Sequence, residues 1–278
     1  MGGNSFAVDA SLIAADANKQ RSHPGDEWNI ADLPTNPGRA VRDYLATLDD
    51  TAFGAASPKQ PKFVSPSDPA AQWTGALRGP AFFAYADNYL IDTDHAVIVD
   101  VEATRAIRQA EVGAARTMIE RSMDRFGLYP ESLAGDTAYG TAQMLGWLVY
   151  EHGIEPHIPV FDKSNRSDGT FSRSDFTYDP NQDRYICPGG KELKQYRRNY
   201  TVARSGVDSQ GLMRYRASKL DCDACALKPR CCPKQSTRKV LRSIYEGARD
   251  RARDIARTEA YETSRRNRKK VEMVRPCP

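Results

Sequence analysis

The sequence predicts an α/β protein whose mixed sheet is interrupted by a basic, cysteine-rich β insert. Apolar runs of strand length alternate with stretches of helical periodicity in the first 161 residues. Five of the six cysteines then fall in a segment with only short β-like pieces, and the chain after it becomes helical again. We therefore expect three units: a core at 1–161, the insert at 162–245 and a C-terminal helix at 246–278.

The chain opens with a predicted strand and a long excursion. The run SFAVDASLIAA at 5–15 is apolar and tolerates β structure, and Asp9 lies inside it. Residues 17–81 are rich in Pro, Asp, Ser and Asn. This composition predicts a long surface excursion with one helix near 38–49.

A hairpin and a helix are predicted next. Two strand-like runs at 82–91 and 95–103 are separated by Asp92-Thr93-Asp94, which is a turn signal. Residues 106–126 have helical periodicity, and Gly127 is suited to end that helix.

Two short strands and a helix complete the predicted core. The segment ESLAGD at 131–136 predicts a strand that ends on Asp136. Residues 141–153 predict a helix with Thr141 as its N-cap, and EPHIPVF at 155–161 predicts the last strand. The order of these elements is typical of an α/β domain with a mixed sheet.

The composition excludes several classes of protein. The 278 residues carry a net charge of +4, and their mean hydropathy is −0.63. No run approaches the roughly 18 apolar residues of a membrane span, and the N-terminus lacks the pattern of a secretory signal. Six cysteines are too sparse for a disulfide framework. We therefore expect a cytoplasmic, reducing location and no membrane partner.

Charge is unevenly spread along the chain. Residues 1–161 hold 12 Lys and Arg against 21 Asp and Glu, whereas residues 162–245 hold 18 against 9. Carboxylates can hold divalent cations, and Lys and Arg can neutralise phosphates. The split is consistent with nucleic-acid binding, and equally with two faces that only aid solubility.

The cysteine spacing in the insert is typical of a metal site. Cys222 and Cys225 form a C-x2-C knuckle, and the turn Pro-Gly-Gly after Cys187 resembles the turn after a ligand in zinc ribbons. A structural zinc ion takes four ligands in a tetrahedron. We predict Cys187, Cys222, Cys225 and Cys231 as zinc ligands, with Cys232 as the alternative to Cys231; the competing interpretation is a set of free thiols.

Three carboxylates stand at positions suited to metal-dependent chemistry. Asp9 lies in the first predicted strand, Asp136 ends a later one, and Glu272 lies on the last predicted helix. Carboxylates at strand ends and on a facing helix can converge on Mg²⁺ or Mn²⁺. Each also has an ordinary interpretation: a turn cap for Asp9, a helix N-cap for Asp136, and an ion pair with a neighbouring base for Glu272.

The chain resembles the bacterial insertion-sequence DDE transposases, in particular the subgroup with a cysteine-rich insert before the last catalytic helix. The resemblance covers nearly the whole chain, and five segments in the right order carry it. They are AVDASLIAADANKQRS at 7–22, GDTAYGTAQMLGWLVYEHGIEPHIPV at 135–160, FTYDPNQDRYICPGGKEL at 176–193, YRASKLDCDACALKPRCCP at 215–233 and RRNRKKVEMV at 265–274.

The resemblance implies a ribonuclease-H-like fold and a catalytic role for Asp9, Asp136 and Glu272, which would bind two Mg²⁺ ions. Asp16 is a weaker substitute for Asp9 because it falls outside the apolar run. Near Glu272 the family pattern is Tyr-x2-Arg-x3-Glu-x6-Lys; here Arg268 has the right spacing, but Arg265 replaces the Tyr and the Lys would fall beyond the last residue.

The implied partner is double-stranded DNA, both transposon ends and target, with a homodimer in the synaptic complex. We expect phosphate contacts from basic residues, and we expect the insert, which has tyrosines at 178, 185, 196, 200 and 215 among its Lys and Arg residues, to lie against the DNA. The basic DNA-binding candidates are Arg268, Lys269, Lys191, Lys194, Arg197 and Arg198.

The resemblance also predicts a truncated copy. Family members have a helical region before the first Asp and continue after the Glu, whereas here Asp9 follows eight residues and the chain stops six residues after Glu272. The expected activity is metal-dependent DNA strand cleavage and strand transfer, with an inactive fragment as one outcome. The alternatives are a non-catalytic DNA-binding zinc module derived from a transposase and a host nuclease of the same fold.

Overall fold

The computed structural model describes most of the chain. It covers residues 3–28, 61–75, 79–162, 164–195, 205–209 and 211–272, with the side chains of Gln109 and residues 270–272 left out. The helix expected near 38–49 lies outside the described residues. Within the described parts no helix is long and apolar enough to cross a bilayer.

The core contains strands and helices in the predicted order. A small ribbon pairs β2 with β3, and a π-type turn at Trp147–Glu151 continues α2. The elements are β1 (Ser5–Ala14), β2 (His23–Pro24), β3 (Phe63–Val64), β4 (Gln72–Gly75), β5 (Ala81–Asp92), β6 (Val97–Arg105), α1 (Arg108–Phe126), β7 (Ser132–Ala134), α2 (Ala142–Gly146) and β8 (Glu155–His157).

The main sheet is mixed, as the sequence predicts. Its order is β4-β5-β1-β7-β8, and β6 also pairs with β5. Strand β1 runs antiparallel to β5 but parallel to β7, and β7 runs parallel to β8. Phe6, Val8 and Leu133 are fully buried in the core between this sheet and its helices. Burial of such apolar side chains is the main favourable term in forming the sheet.

Local signals in the sequence explain how the elements end. The carboxylate of Asp92 accepts the backbone N–H groups of Asp94 and His95 at 2.9 and 3.2 Å, which closes the β5–β6 hairpin. Gly127 ends α1 in the left-handed conformation with φ of 63°. The Thr141 hydroxyl accepts the N–H of Met144 at 3.3 Å and so caps α2, as predicted.

Two predicted elements are shorter than expected. The strand at 131–136 ends at Ala134, and the strand at 155–161 ends at His157. The chain leaves the sheet because Asp136 turns it into a 3₁₀ turn, while Phe161 donates its N–H to the carbonyl of Gly140 at 2.8 Å.

The insert forms its own five-stranded antiparallel sheet in the order β13-β12-β11-β10-β9. Its strands are mostly three to six residues long, and two short helices follow β12. The elements are β9 (Thr177–Asp179), β10 (Arg184–Ile186), β11 (Glu192–Lys194), β12 (Leu212–Ala217), α3 (Lys219–Asp223), α4 (Lys228–Cys231) and β13 (Lys239–Ser243).

Three of the insert's tyrosines form its core rather than a DNA-facing surface. The rings of Tyr178, Tyr185 and Tyr215 pack together with centroids 5.0 to 6.1 Å apart. Tyr185 and Tyr215 are 3% and 0% exposed, so their rings lie inside the insert, and that the insert lies against DNA stays a prediction. A small sheet needs large apolar side chains in its interior, and here tyrosines supply them. Tyr196 and Tyr200 lie outside the described residues.

The C-terminal segment forms two helices where one was expected. They are α5 (Glu246–Ile255) and α6 (Glu259–Glu272). The hydroxyl of Thr258 accepts the N–H of Tyr261 at 3.2 Å, so a second N-cap starts α6 after a break. Helix α5 packs on α2 and β8, and α6 packs on β1, β7 and β8. The last helix therefore packs on the strand that contains Asp9 and on the strand that precedes Asp136.

An ion-pair cluster joins the insert to the core. We call Asp162, Arg173, Glu246, Arg249 and Arg253 the arginine cluster. Glu246 is 1% exposed and lies 2.7 to 3.0 Å from the guanidinium groups of all three arginines. Asp162 lies 2.9 to 3.3 Å from the same three groups. These contacts tie the start of the insert to α5.

Candidate functional site

The sheet register brings the chain segments of Asp9 and Asp136 next to each other. Ala7 pairs with Ala134 across the parallel strands β1 and β7; Asp9 lies two residues further along β1, and Asp136 lies two residues beyond Ala134, where β7 ends. Residues two apart in extended chains share one face of a sheet. Asp9 itself remains in β1, opposite Tyr89 of β5, so its alternative interpretation as a turn cap is wrong.

Asp136 is held by its own turn. Its Oδ1 accepts the N–H of Ala138 at 2.6 Å and caps the 3₁₀ turn Thr137–Tyr139. A Cβ on Gly140 would lie 1.9 Å from the carbonyl oxygen of Pro159, so only glycine allows this close approach. The capping role considered for Asp136 is therefore present. It is compatible with cation binding because a carboxylate has two acceptor oxygens.

Glu111 is a third carboxylate at this place, and the sequence analysis missed it. Burial raises the pKa of Glu111, repulsion from Asp136 and Asp9 raises it further, and Arg108 opposes the rise. The sequence pattern could have identified this residue: Glu111 is four residues after Ile107 and three before Ala114, on the apolar face of α1. A carboxylate on the apolar face of a helix is uncommon unless it is paired or has a functional role.

Tyr139 is surrounded by these charges. The residue is 3% exposed, and burial raises its pKa, as do Glu111, Asp9 and Asp136, whereas Arg268 lowers it. The phenol therefore stays protonated at neutral pH. We call Asp9, Glu111, Asp136, Tyr139 and Arg268 the carboxylate site.

Helix α6 closes a cleft next to Asp136. The cleft has a volume of about 120 Å³, and its lining includes Asp136, His157, Tyr261, Arg265 and Arg268. Burial lowers the pKa of His157, with Glu155 opposing, and its Nδ1 lies 2.7 Å from the Ser264 hydroxyl. Arg265 thus lines the same cleft as Arg268.

Glu272 is the final residue of α6, four residues after Arg268. Its side chain lies outside the description, so its convergence with Asp9 and Asp136 stays a prediction. Asp16, the weaker substitute for Asp9, is exposed and lies beyond the end of β1.

The other basic candidates fall in different places. Lys269 is an exposed residue of α6. Lys191 and Lys194 are more than half exposed; Lys191 lies 4.0 Å from Asp221, and Lys194 pairs with Glu192. Lys191 lines the cavity of the cysteines rather than the cleft of Asp136. Arg197 and Arg198 lie outside the described residues.

The insert cysteines meet in one cavity, which we call the cysteine cavity. None of these five cysteines is in a disulfide bond, and Cys222 and Cys232 are buried. Burial and the neighbouring Cys232 raise the pKa of Cys231 to about 12. All the predicted zinc ligands, including the alternative, line this cavity: Cys187, Cys222, Cys225, Cys231 and Cys232.

The described side chains do not form a complete metal-binding site. Across the described residues, no three His, Cys, Asp or Glu side chains stand in an arrangement that could hold an ion as they are placed. Both predicted sites nevertheless present the donor type that their metal prefers: carboxylate oxygens for Mg²⁺ and thiols for zinc.

Comparisons with known proteins give no match. Neither the protein-family models, nor the curated proteins, nor the solved structures contain a significant relative of this chain.

Proposed function

We propose that this chain is the catalytic part of a DDE-type transposase with a ribonuclease-H-like fold, which cleaves and transfers DNA strands by phosphoryl transfer. The observation that supports the proposal is the register of β1 and β7: Ala7 pairs with Ala134, and Asp9 and Asp136 each follow one of these paired residues by two positions. Helix α6, which bears Arg268 and Glu272, packs across both strands.

Asp9, Asp136 and Glu272 are the residues that would hold Mg²⁺ or Mn²⁺. The fit is one of donor chemistry: two hard carboxylates side by side, with Glu111 in electrostatic contact with both. When bound, such ions lower the pKa of an attacking water or 3′-hydroxyl and stabilise the departing oxygen.

The remaining residues of the site have separate tasks. The cap on Ala138 holds Asp136 at the sheet edge before substrate arrives. Arg268, which lines the cleft beside Asp136, would bind a phosphate oxygen of the strand to be cut. The protonated hydroxyl of Tyr139 would donate a hydrogen bond into the site. The buried ring would exclude water from the floor of the site.

Basic side chains outside the cleft would hold the DNA duplex through its phosphates. Lys269 follows Arg268 directly, and the insert, with its excess of nine basic residues, supplies Lys191, Lys194, Arg197 and Arg198. Two chains in one synaptic complex would bring two DNA ends together.

A second candidate is a non-catalytic DNA-binding zinc module. The observation that favours it is the separation of Lys191 and the cysteine cavity from the Asp136 cleft, since the insert could bind DNA by itself. Strand cleavage discriminates the two candidates.

The test of catalysis is a nicking assay with supercoiled DNA and Mn²⁺ or Mg²⁺. We expect Asp136→Asn to lower the nicking rate about 100-fold or more, because transition-state stabilisation by a bound ion amounts to several kcal/mol. The matched control is Asp94→Asn, in the exposed β5–β6 turn. Metal-dependent nicking by wild type that survives in Asp136→Asn would remove Asp136 from the reaction.

The test of DNA binding is its salt dependence. Phosphate contacts predict that duplex affinity falls about tenfold or more between roughly 50 and 200 mM salt, with little sequence preference. Affinity that barely changes over that range would exclude a phosphate-dominated interface.

A further inference from the structure

Three features of the insert point to a bound metal ion, and the first is the turn after Cys187. The N–H of Lys191 donates to the Cys187 sulfur at 3.3 Å, and the N–H of Gly190 donates to the Cys187 carbonyl at 2.8 Å. Gly190 has a φ of 73°, a conformation that favours glycine. A backbone N–H aimed at a sulfur stabilises the thiolate form, which is the form that binds metal.

The second feature is the knuckle that faces this turn. Cys225 donates its N–H to the carbonyl of Cys222 at 3.3 Å, and Lys228 donates to the carbonyl of Cys225 at 3.1 Å. A Cβ on Gly189 would lie 3.6 Å from the Cys225 sulfur and 3.7 Å from the Cys187 sulfur. Two turns from distant parts of the insert therefore present their sulfurs to one glycine.

The third feature is the charge of the cavity wall. Lys191, Lys228 and Arg238 line the cysteine cavity, and Asp221 is the one carboxylate among its lining residues in the described chain. Four thiolates around a divalent ion carry a net charge of −2, which this basic wall would offset. The cavity has about 30 Å³ of free space, enough for one water-sized particle.

The fourth ligand must come from Cys231 or Cys232, and the structure favours Cys232. Cys232 is 5% exposed and belongs to the same buried cluster as Cys222, which is 8% exposed. Cys231 is less buried, and Arg238 holds its carbonyl at 3.1 Å at the end of α4. Structural metal sites are enclosed, so the more buried thiol beside Cys222 is the better ligand.

We propose that the insert holds one structural zinc ion on Cys187, Cys222, Cys225 and Cys232, with Cys231 as a fifth thiol outside the first shell. Zinc fits because four thiolates in a tetrahedron are its usual structural set. As placed, the described side chains do not form a complete metal site. Rotation about the Cα–Cβ bonds of the cysteines, between staggered rotamers, would bring the four sulfurs onto one ion.

The ion would stabilise a unit with little core of its own. The insert sheet is built from short strands, and its interior is one small cluster of tyrosines, aliphatic residues and cysteines. Small units of this kind commonly need a metal to fold stably. This inference is independent of the proposed catalysis, since none of these cysteines lines the cleft of Asp136.

The test is the metal content of the purified whole chain. We expect about one zinc per chain and, after exchange with Co²⁺, the visible bands of tetrahedral four-thiolate coordination. Cys187→Ser and Cys232→Ser are each expected to weaken zinc affinity about 100-fold or more. Cys231→Ser and the matched control Cys277→Ser, outside the insert, are expected to retain it.

Two outcomes would overturn the inference. Wild-type chain that neither contains zinc nor takes up Zn²⁺ or Co²⁺ on reconstitution would exclude the site, whatever the variants do. Retention of the ion by Cys232→Ser together with its loss in Cys231→Ser would exclude the assigned fourth ligand. Because Asp136→Asn should keep its zinc, failure of the zinc site and failure of the nicking assay are distinguishable.

Discussion

The carboxylate site and the arginine cluster both gather acidic side chains, but the pKa of Glu246 is lowered in the arginine cluster whereas that of Glu111 is raised in the carboxylate site. In the arginine cluster, two carboxylates meet three guanidinium groups at 2.7 to 3.3 Å. In the carboxylate site, burial raises the pKa of Glu111, and the charges of Asp136 and Asp9 raise it further.

This difference distinguishes a stabilising cluster from the site that we propose to be functional. Burial raises the pKa of Glu246, yet its hydrogen bond and ion pair with Arg173, together with Arg249 and Arg253, bring that pKa below its usual value. Ionised Glu246 therefore stabilises the fold, whereas ionised Glu111 opposes it. Repulsion between ionised carboxylates lowers the stability of the fold. We therefore expect these carboxylates to have a function, and cation binding is the simplest one.

The largest expected effect on stability comes from breaking the arginine cluster. Glu246→Gln leaves three arginines without their buried carboxylate, so we expect the free energy of unfolding to fall by about 3–5 kcal/mol. Urea denaturation measures the change. The matched control is Asp254→Asn on the same helix, an exposed partner of Arg257 at 3.4 Å, expected to change stability by less than about 0.5 kcal/mol. A small change in Glu246→Gln would show that the cluster is not a stabilising joint.

The next expected effect is stabilisation of the carboxylate site by its ion. Millimolar Mg²⁺ or Mn²⁺ should raise the melting temperature of wild type, because a ligand bound only by the folded state stabilises it. At 100 times its dissociation constant the gain is about 2.7 kcal/mol. Asp136→Asn should lose most of this gain, and equal shifts in both proteins would place the ion elsewhere.

In the absence of metal, substitutions at Asp136 should distinguish its capping role from its proposed role in cation binding. Asn caps a turn as well as Asp does, so Asp136→Asn should retain the stability of wild type in the absence of divalent cations. Asp136→Ala removes the acceptor for the Ala138 N–H and should lower the free energy of unfolding by about 1 kcal/mol. Similar losses in both variants, measured by urea denaturation, would contradict this assignment.

Removing the repulsion itself should stabilise the chain. Glu111→Gln keeps the size of the side chain but removes one of three like charges, and we expect about 0.5–2 kcal/mol of added stability at pH 7 without metal. Because the folded pKa of Glu111 is raised, the gain should shrink as the pH falls from above that pKa towards the unfolded value near 4.5. A loss of stability at pH 7 would mean that Glu111 is paired rather than repelled.

The smallest expected effect concerns His157. Its folded pKa is lowered by burial, so its contribution is fully present above the unfolded pKa, about 6.5, and is lost as the pH falls through the folded pKa. Wild type should therefore lose more stability than His157→Gln between pH 7.5 and pH 5.5. Urea midpoints at the two pH values give the difference, and parallel losses would contradict it.

Sequence patterns predicted the elements better than their ends. The β5–β6 hairpin, helix α1 with Gly127 and the Thr141 cap were all expected from local residue types. The two short strands were predicted too long, and the last helix was predicted without its break at 256–258. In each case a hydrogen bond to a residue elsewhere, or a cap within the segment, ended the element before the apolar pattern did.

The candidate site was predicted only in part, for a physical reason. Asp9 and Asp136 could be chosen because Asp9 lies inside an apolar run and Asp136 ends one. Glu111 was missed because its importance depends on α1 packing near Asp9 and Asp136, which no local pattern states. The insert was predicted to lie against DNA with its tyrosines among basic residues, but the small sheet uses several of those rings in its core.

The sequence by itself determined the α/β class, the basic insert, the order of the strands and the residue types able to bind metals. The tertiary structure decided which of these residues meet: Asp9 with Asp136 and Glu111, and the cysteines around one cavity. Local patterns follow from the period of a helix or strand, and these are set by neighbouring residues. Contacts between distant carboxylates or thiols depend on strand register and helix packing, and these are set by the whole chain.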